Sequence, residues 1–442
     1  MISIINKKNC CGCEACVQAC PKQCISFKED AEGFFYPEVN TNICVECGLC
    51  EKVCPVLHPN NERIPKEVFA SINKNEKVRM TSSSGGMFSL LAEKVLNQGG
   101  IVFGVRFDEN WNAVFDYAKD SKQVEDFRGS KYMQARVGNS FRECKKVLDQ
   151  GKLVLFAGTP CQITALRNFL RKSYSNLLTV DFVCHGVPSP KVWRKYLEET
   201  IKNCKQSINK NCFFNKKWND CGLTFDYNSQ SKQISITSPF YKNPYSKAFL
   251  QNLILRPSCY SCPSKAGRSG SDITIADFWG VDKVCPTMDD DKGTSLILLY
   301  TEEGTKAIPL ESLHWAKASY EDVLMYNSSI ARSAIKHSLR EVFFAVFSEE
   351  KNLNKLIAHC LRPTKKQLVK RLVKKTVRLV KHLLLCVLRV ENCKRIYPAI
   401  PPFVIENMKV RSVQFRSKEH GWKNYELKIT LLPDNNCRHQ NG

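Results

Sequence analysis

A chain of 442 residues with 43% hydrophobic and 25% charged positions has ordinary globular composition, which excludes a disordered, collagenous or bundled membrane chain and leaves room for about two to four domains. Lys and Arg number 66 against 43 Asp and Glu, a net charge of +23, and about half of that excess lies in one tail segment, Arg362 to Arg395. No stacking or groove-reading motif accompanies the charge, so no nucleic-acid partner is expected.

The N-terminus reaches polar Asn6, Lys7 and Lys8 before an apolar core forms, so no signal peptide is expected, and the longest aliphatic run of the tail, Leu383 to Leu388, is far too short to span a bilayer. The expected location is the cytoplasm. In that reducing compartment the 23 cysteines read as metal ligands rather than disulfides.

Residues 1–60 carry too few apolar side chains to fold without a staple. They contain Cys10-x2-Cys13-x2-Cys16-x3-Cys20-Pro21 and then Cys44-x2-Cys47-x2-Cys50-x3-Cys54-Pro55, the same spacing twice. This is the spacing of bacterial ferredoxins, where x2 steps turn successive sulfurs inward and the trailing cysteine serves the other cluster. It predicts two [4Fe-4S] clusters, one on Cys10, Cys13, Cys16 and Cys54 and the other on Cys44, Cys47, Cys50 and Cys20. A pair of zinc knuckles would take its ligands as two pairs and needs no Cys-Pro. Cys11 and Cys24 fall outside the pattern and read as spare thiols.

From Val68 to about Arg340 strands and helices alternate. Thr81-Ser82-Ser83-Ser84-Gly85-Gly86 precedes a helix with Met87, Leu91 and Val95 on one face, so the loop is either a phosphate cradle or a Ser cap with a permissive Gly. Arg128-Gly129-Ser130-Lys131-Tyr132 would add cationic donors and an aromatic face there, or form a solvated turn. Leu153–Ala157 reads as a strand, Cys161–Arg171 as a helix and Leu178–Val183 as a strand, which predicts a parallel βαβ unit. Cys161 and Cys184 then lie at the carboxyl edge of neighbouring strands, where open α/β sheets keep their ligand sites. Ser189-Pro190 opens a helix to about Asn203.

Cys259-x2-Cys262 supplies a second pair, and two plus two makes a candidate third cubane. Each pair alone also fits small buried residues, half a zinc site or a redox dithiol. Asp272–Ala276 and Leu296–Tyr300 read as later strands, and Cys144, Cys204, Cys212, Cys221 and Cys285 as ordinary thiols. Beyond Pro363, Leu368, Leu372, Thr376, Leu379, Leu383 and Val387 follow helical spacing among Lys370, Arg371, Lys374, Lys375, Arg378 and Lys381. Such a basic helix over 364–390 would lie on an anionic membrane surface, at the inner face of the membrane, or pack its apolar side on the domain. Pro398, Pro401 and Pro402 break it.

Ser83-Ser84-Gly85-Gly86, Gly129-Ser130-Lys131-Tyr132, Gly158-Thr159-Pro160-Cys161-Gln162, Cys184-His185-Gly186 and Cys259-x2-Cys262 with Asp272-Ile-Thr-Ile-Ala-Asp-Phe-Trp-Gly280 occur in this order. Over roughly residues 65–345 the chain resembles the coenzyme F(420) hydrogenase/dehydrogenase beta-subunit family, fused behind a ferredoxin domain. The resemblance implies bound FAD near Ser83, Ser84, Gly85 and Gly86 with Lys131 and Tyr132 beside it, a [4Fe-4S] cluster on Cys161, Cys184, Cys259 and Cys262, and two-electron chemistry at the flavin. His185 and Asp277 are the acid/base candidates. The segment from Phe415 to Tyr425 resembles one that related chains carry between the Cys-His-Gly motif and the C-x2-C pair, as in a partial duplication or a rearranged end.

The expected fold class is α+β and α/β: a two-cluster ferredoxin domain over 1–60, a mixed α/β flavin- and cluster-binding region over 61–150 and 151–345, and a basic helical tail over 346–442. The expected function is an iron–sulfur flavoprotein oxidoreductase exchanging electrons with ferredoxin, another acidic carrier or a deazaflavin. The rivals are a poly-cluster electron carrier without its own substrate and a zinc-stabilised basic module.

Overall fold

The computed structural model describes residues 1–201, 212–215, 222–229, 232–363, 409–417 and 425–432, which fall into two compact units, Met1–Leu361 and Arg362–Gly442. In the first, β1 (Ile25–Glu29) and β2 (Phe35–Val39) pair antiparallel. Their turn uses the Asp30 carboxylate, which accepts from the Phe34 N–H at 2.9 Å, and Gly33, whose φ of +87° is open to glycine without strain. Two short helices, Ala15–Ala19 and Leu49–Lys52, carry Cys16 and Cys50 beside this hairpin.

The remaining strands are β3 (Glu67–Asn73), β4 (Ile101–Phe107), β5 (Ala113–Ala118), β6 (Val154–Gly158), β7 (Leu177–Phe182), β8 (Cys212–Asn215), β9 (Gly222–Ser229), β10 (Lys232–Pro239), β11 (Ile273–Asp277), β12 (Ser295–Leu299) and β13 (Leu313–Lys317). β8, β9 and β10 form a small antiparallel sheet, and the others form one mixed sheet in the order β13-β3-β12-β11-β7-β6-β4-β5. Within it β4, β6, β7 and β11 are parallel, and β12 is antiparallel to both β11 and β3. β3 therefore runs the same way as β11. The carboxyl ends of β3, β4, β6, β7 and β11 and the amino end of β12 share one edge.

The mixed α/β class expected from sequence is the observed one, and the βαβ unit is present: β6, the helix Pro160–Leu170 and β7, with β6 and β7 parallel. Side-chain alternation explains how the sheet is covered on both faces. Phe103 and Phe156 point to one side, where their rings stack 5.5 Å apart against Phe141 and Trp193 and the helices Ser140–Asp149, Pro160–Leu170 and Pro190–Ile201. Val102, Leu155 and Val180 point to the other, against Met87, Leu91 and Val95 of the helix Met87–Asn97. Each fully buried side chain of this size contributes about 1.5–3 kcal/mol.

The cysteine-rich segment is fastened to the sheet by buried polar contacts. Glu14, itself buried, accepts from Arg136 Nε at 2.7 Å, Arg136 Nη2 at 3.1 Å and the Val137 N–H at 3.0 Å. Gln18 Oε1 accepts from the Phe141 N–H at 3.0 Å, and Arg340 grips Glu32 through both carboxylate oxygens.

In the second unit, β14 (Lys409–Ser417) and β15 (Tyr425–Leu432) pair antiparallel with a register shift between Val410 and Ser412. The predicted basic helix 364–390 and the proline break after it lie outside the described residues. Among the described residues no helix is long and apolar enough to cross a membrane.

Candidate functional site

The two N-terminal quartets differ in exposure. Cys10, Cys13 and Cys16 are buried, whereas Cys47 is exposed and Cys44 half-buried. Burial pushes the Cys16 thiol up, and Cys10, Cys54 and Cys50 add to the shift by like charge. Cys54 in turn is raised by burial and by Cys10 and Cys50. The expected ligands Cys10, Cys13, Cys16 and Cys54 are the inner group, with Cys50 also near Cys16 and Cys54. Cys20, Cys44, Cys47 and Cys50 line a cleft of about 350 Å³ together with Cys24. Burial disfavours a thiolate at Cys20, yet backbone and side-chain donors at Cys24, Lys22 and Gln23 outweigh it and hold the thiol below its ordinary value. Backbone N–H groups aimed at sulfur suit an anionic ligand. Cys24 lies 3.3 Å from Cys20, sulfur to sulfur, so it belongs to this cleft.

The edge of the large sheet assembles the third set. Cys161 follows β6 in the first turn of its helix, with Thr159 Oγ1 at 3.2 Å from the sulfur. Cys184 follows β7. Cys259 and Cys262 lie in and just after the 3-10 turn Pro257–Ser261, which Gly186 allows to approach closely: its φ is +143°, and a β-carbon there would stand 2.8 Å from Leu255 Cδ1 and 3.2 Å from Cys259 Cβ. The Val187 N–H points to Cys259 Sγ at 3.4 Å. Burial pushes Cys184 up to about 12, with Lys265 opposing and Cys161 and Cys262 adding by like charge. Burial also raises Cys259, with Cys184, Cys262 and Cys161 contributing. The four thiols thus share one neighbourhood at this edge. Lys265 is buried beside them, its ammonium donating to the Cys184 and Ser329 carbonyls.

Four thiols that each hinder the ionisation of the others, with a buried cation at hand, are donors for a group that brings positive charge with it, and they fit a [4Fe-4S] cluster. Among the described residues no three His, Cys, Asp or Glu side chains converge on one ion position. A cubane asks for the wider arrangement, because its thiolates bind four separate irons.

The Ser/Gly loop lies over the same edge. Ser83 Oγ accepts from the Ser130 N–H at 3.0 Å, and Ser84 Oγ donates to the Thr294 carbonyl at 2.9 Å. A β-carbon at Gly85 would meet the Ser71 carbonyl and the Ser295 N–H, so the loop backbone is pressed onto β3 and β12. Gly86, at φ +87°, caps the helix Met87–Asn97. Lys131 Nζ donates to the Asp126 and Arg128 carbonyls at 2.7 and 2.8 Å. Tyr132 packs its ring on Phe240 and Phe249 at 5.2 and 5.1 Å, and these three with Ser130, Trp193 and Tyr245 line a cleft of about 290 Å³. Its aromatic walls offer apolar faces on which a planar ring system can stack.

His185 sits behind that wall, its ring 5.0 Å from Phe249 and its Nε2 2.6 Å from Asn252 Oδ1. Burial lowers its pKa against the opposing pull of Asn252, which keeps the imidazole neutral. Asp277 ends β11, the strand beside β7, and pairs in register with Ser295.

The family models for the N-terminal and C-terminal parts of the coenzyme F420 hydrogenase/dehydrogenase beta subunit match residues 68–141 and 151–312, together more than half of the chain and in the order of this sheet. The chain belongs to that family. A 4Fe-4S dicluster domain matches residues 9–57 ahead of it. A subunit of the F(420)H(2) dehydrogenase of Methanosarcina mazei is 24% identical over 216 residues, 45% of this chain and 61% of that protein. The matched part thus spans about three fifths of that relative's length. A ferredoxin 7Fe of Hydrogenibacillus schlegelii is 39% identical over 62 residues, 14% of this chain and 73% of that protein. A chain of the F420-reducing [NiFe] hydrogenase complex from Methanosarcina barkeri superposes with a TM-score of 0.40 at 16% identity, covering 70% of this chain and 92% of that one.

Sequence reasoning on this family member missed the residues that join the sets. Cys11, read as a spare thiol, is buried close enough to Cys13 and Cys161 to shift the ionisation of both, and so lies between the inner quartet and the third set. Adjacency to a ligand gives no sign of which way a side chain points. The aromatic cleft gathers Tyr132, Phe240 and Phe249 from segments about a hundred residues apart, a proximity no local pattern carries.

Near the same edge Asp181 is buried on β7, and burial raises its carboxyl to about 6 despite hydrogen bonds from Ser269, Thr274 and Ser271. An acid raised in the folded state binds its proton more tightly there than in the unfolded chain, so stability falls as pH rises through the folded value. Between about pH 5.5 and about pH 7.5 the protein is expected to lose about 1 kcal/mol from this group. Asp181→Asn should remove that slope, read as unfolding midpoints of both proteins across the interval. An unchanged slope would mean another group carries it.

Proposed function

We propose that this chain is an iron–sulfur flavoprotein subunit of an oxidoreductase, in which three cysteine sets and an aromatic cleft lie along one route. The observation that supports this reading is the gathering of Cys161, Cys184, Cys259 and Cys262 at the sheet edge, with buried Cys11 near Cys161 and the cleft at Tyr132 and Phe249 beside them. When bound, [4Fe-4S] clusters exchange single electrons and FAD links one-electron to two-electron chemistry.

The residues divide the work by position. Cys20, Cys44, Cys47 and Cys50 hold the solvent-facing cluster, where exposed Cys47 marks the surface at which an external carrier docks. Cys10, Cys13, Cys16 and Cys54 hold the inner one, and the third set holds a cluster beside the flavin. Ser83, Ser84, Gly86 and Lys131 bind and orient the flavin, and the rings of Tyr132, Phe240 and Phe249 exclude water from it. Neutral His185, fixed by Asn252, is placed to receive a proton at its free ring nitrogen. The net charge of +23 suits partner subunits or a carrier with an acidic docking surface.

Iron and flavin analysis of anaerobically purified protein tests this reading. About twelve irons and about one FAD per chain are expected. About eight irons without flavin would replace it with a poly-cluster electron carrier that has no substrate of its own.

A further inference from the structure

Arg256 is fully buried, at 0% exposure. Its donors all end on neutral oxygens or on a cysteine: Nε donates to the Cys10 carbonyl at 2.7 Å, Nη1 to Gln134 Oε1 at 2.8 Å, and Nη2 to the Phe35 carbonyl at 2.9 Å and to Cys10 Sγ at 3.5 Å. Tyr36 and Phe34 cover its faces, with ring centroids 4.3 and 5.4 Å from Cζ. Among the described residues it forms no ion pair with a carboxylate, unlike Arg340 and Arg79, the other deeply buried arginines, which reach Glu32 and Asp290.

A cation taken wholly out of water costs several kcal/mol unless an anion compensates it. Burial opposes the charge of Arg256, and the groups that outweigh burial are Cys10, Tyr36, Cys11 and Cys259. Three of these four are cysteines, drawn from both the inner quartet's loop and the third set. The packing leaves the guanidinium no other place: Gly12 has φ +70°, and a β-carbon on it would run into Gln134 Nε2 and stand 2.9 Å from Arg256 Cζ. Cys259 is tied to the same residue from the other side, its N–H donating to the Arg256 carbonyl at 3.0 Å.

We propose that Arg256 is the counter-charge of the inner quartet, Cys10, Cys13, Cys16 and Cys54, raising the reduction potential of the cluster bound there. The proposal rests on the cluster reading above. Each cluster with its thiolates is an anion and becomes one charge more negative on reduction, so a fixed cation in a low-dielectric site favours the reduced form. The solvent-facing quartet, to which Arg256 makes none of these contacts, is outside its reach. Arg256 is thus a positioning and tuning residue that makes the inner site easier to reduce than the outermost one, drawing electrons inward.

The test is a reductive titration followed by electron paramagnetic resonance on the full-length wild type, Arg256→Gln and Arg256→Lys, each with iron content measured. In Arg256→Gln with iron retained, one midpoint should fall by at least a tenfold change in the reduction equilibrium, about 59 mV for one electron, while that of the outermost site stays. Arg256→Lys keeps the charge and should stay within that limit at all sites. Unchanged potentials in Arg256→Gln, or an equal fall in both variants, would overturn the proposal. If Arg256→Gln does not fold, Arg256→Lys decides: unshifted midpoints support a role for charge, and a shift beyond the limit overturns it. Wild type without iron would instead sink the cluster reading.

Discussion

Arg340→Ala should lower the unfolding free energy by about 3 kcal/mol, the lower end of the range for breaking a buried ion pair, because Glu32 keeps some contact with water. Arg340 is 3% exposed and sits where three distant segments meet. Its Nη1 and Nη2 donate to Glu32 Oε1 and Oε2 at 3.0 and 2.6 Å, in the turn of the N-terminal hairpin. Its Nε and Nη2 donate to the Leu255 carbonyl at 3.1 and 2.9 Å, next to Arg256. Its guanidinium also lies 4.6 Å from the Phe344 ring centroid. Alanine would strand a carboxylate and a carbonyl and leave a hole among aromatic rings, so the loss exceeds that of a surface pair. Because Glu32 belongs to the cysteine-rich segment, that segment should also become more susceptible to proteolysis in the native protein. A drop below about 1 kcal/mol in denaturant unfolding would show that the other contacts of the segment, those of Glu14, Gln18 and Arg256 among them, fasten it without Arg340.

The parts of the fold that were legible in the sequence are those with local signals. The twin cysteine quartets announce themselves because one spacing must deliver three sulfurs from a single loop. The run Leu153–Ala157, the helical spacing after Cys161 and the run from Leu178 give a parallel unit because each is bounded by turn residues and apolar enough to be covered on both faces. Strand ends moved by a single residue, as at β6, which is Val154–Gly158. What could not be read is what depends on chain reversal over long distances. Arg256 meets Cys10 across 246 positions, and Gln134 completes the contact from between them. Cys11 is two residues from Cys13 in sequence yet also lies near Cys161, far along the chain, close enough to shift its ionisation. The role of Gly85 was likewise hidden: its lack of a side chain serves close packing on β3 and β12, a reason a phosphate cradle does not require.

Cys184→Ala should remove about four of about twelve irons and leave the two N-terminal clusters and the flavin in place. Among the four cysteines of the third set it is the most informative to remove. Cys161 has the Cys11 thiol as a near neighbour, and a neighbouring thiol can replace a lost ligand, so Cys161→Ala would report the flexibility of Cys11 as much as the ligand itself. Cys259 accepts the Val187 N–H, and changing it disturbs the crossing of two loops. The thiols that shift Cys184 are Cys161 and Cys262, both members of the same set. Alanine is preferred to serine because a hydroxyl can still bind iron. Iron analysis and the resonance signals of the reduced protein read the result together. Loss of about one third of the iron, with the paired signals of the dicluster segment retained, is the expected outcome. Full iron content would remove Cys184 from the ligand set and leave the fourth ligand of the third cluster to another residue of that edge.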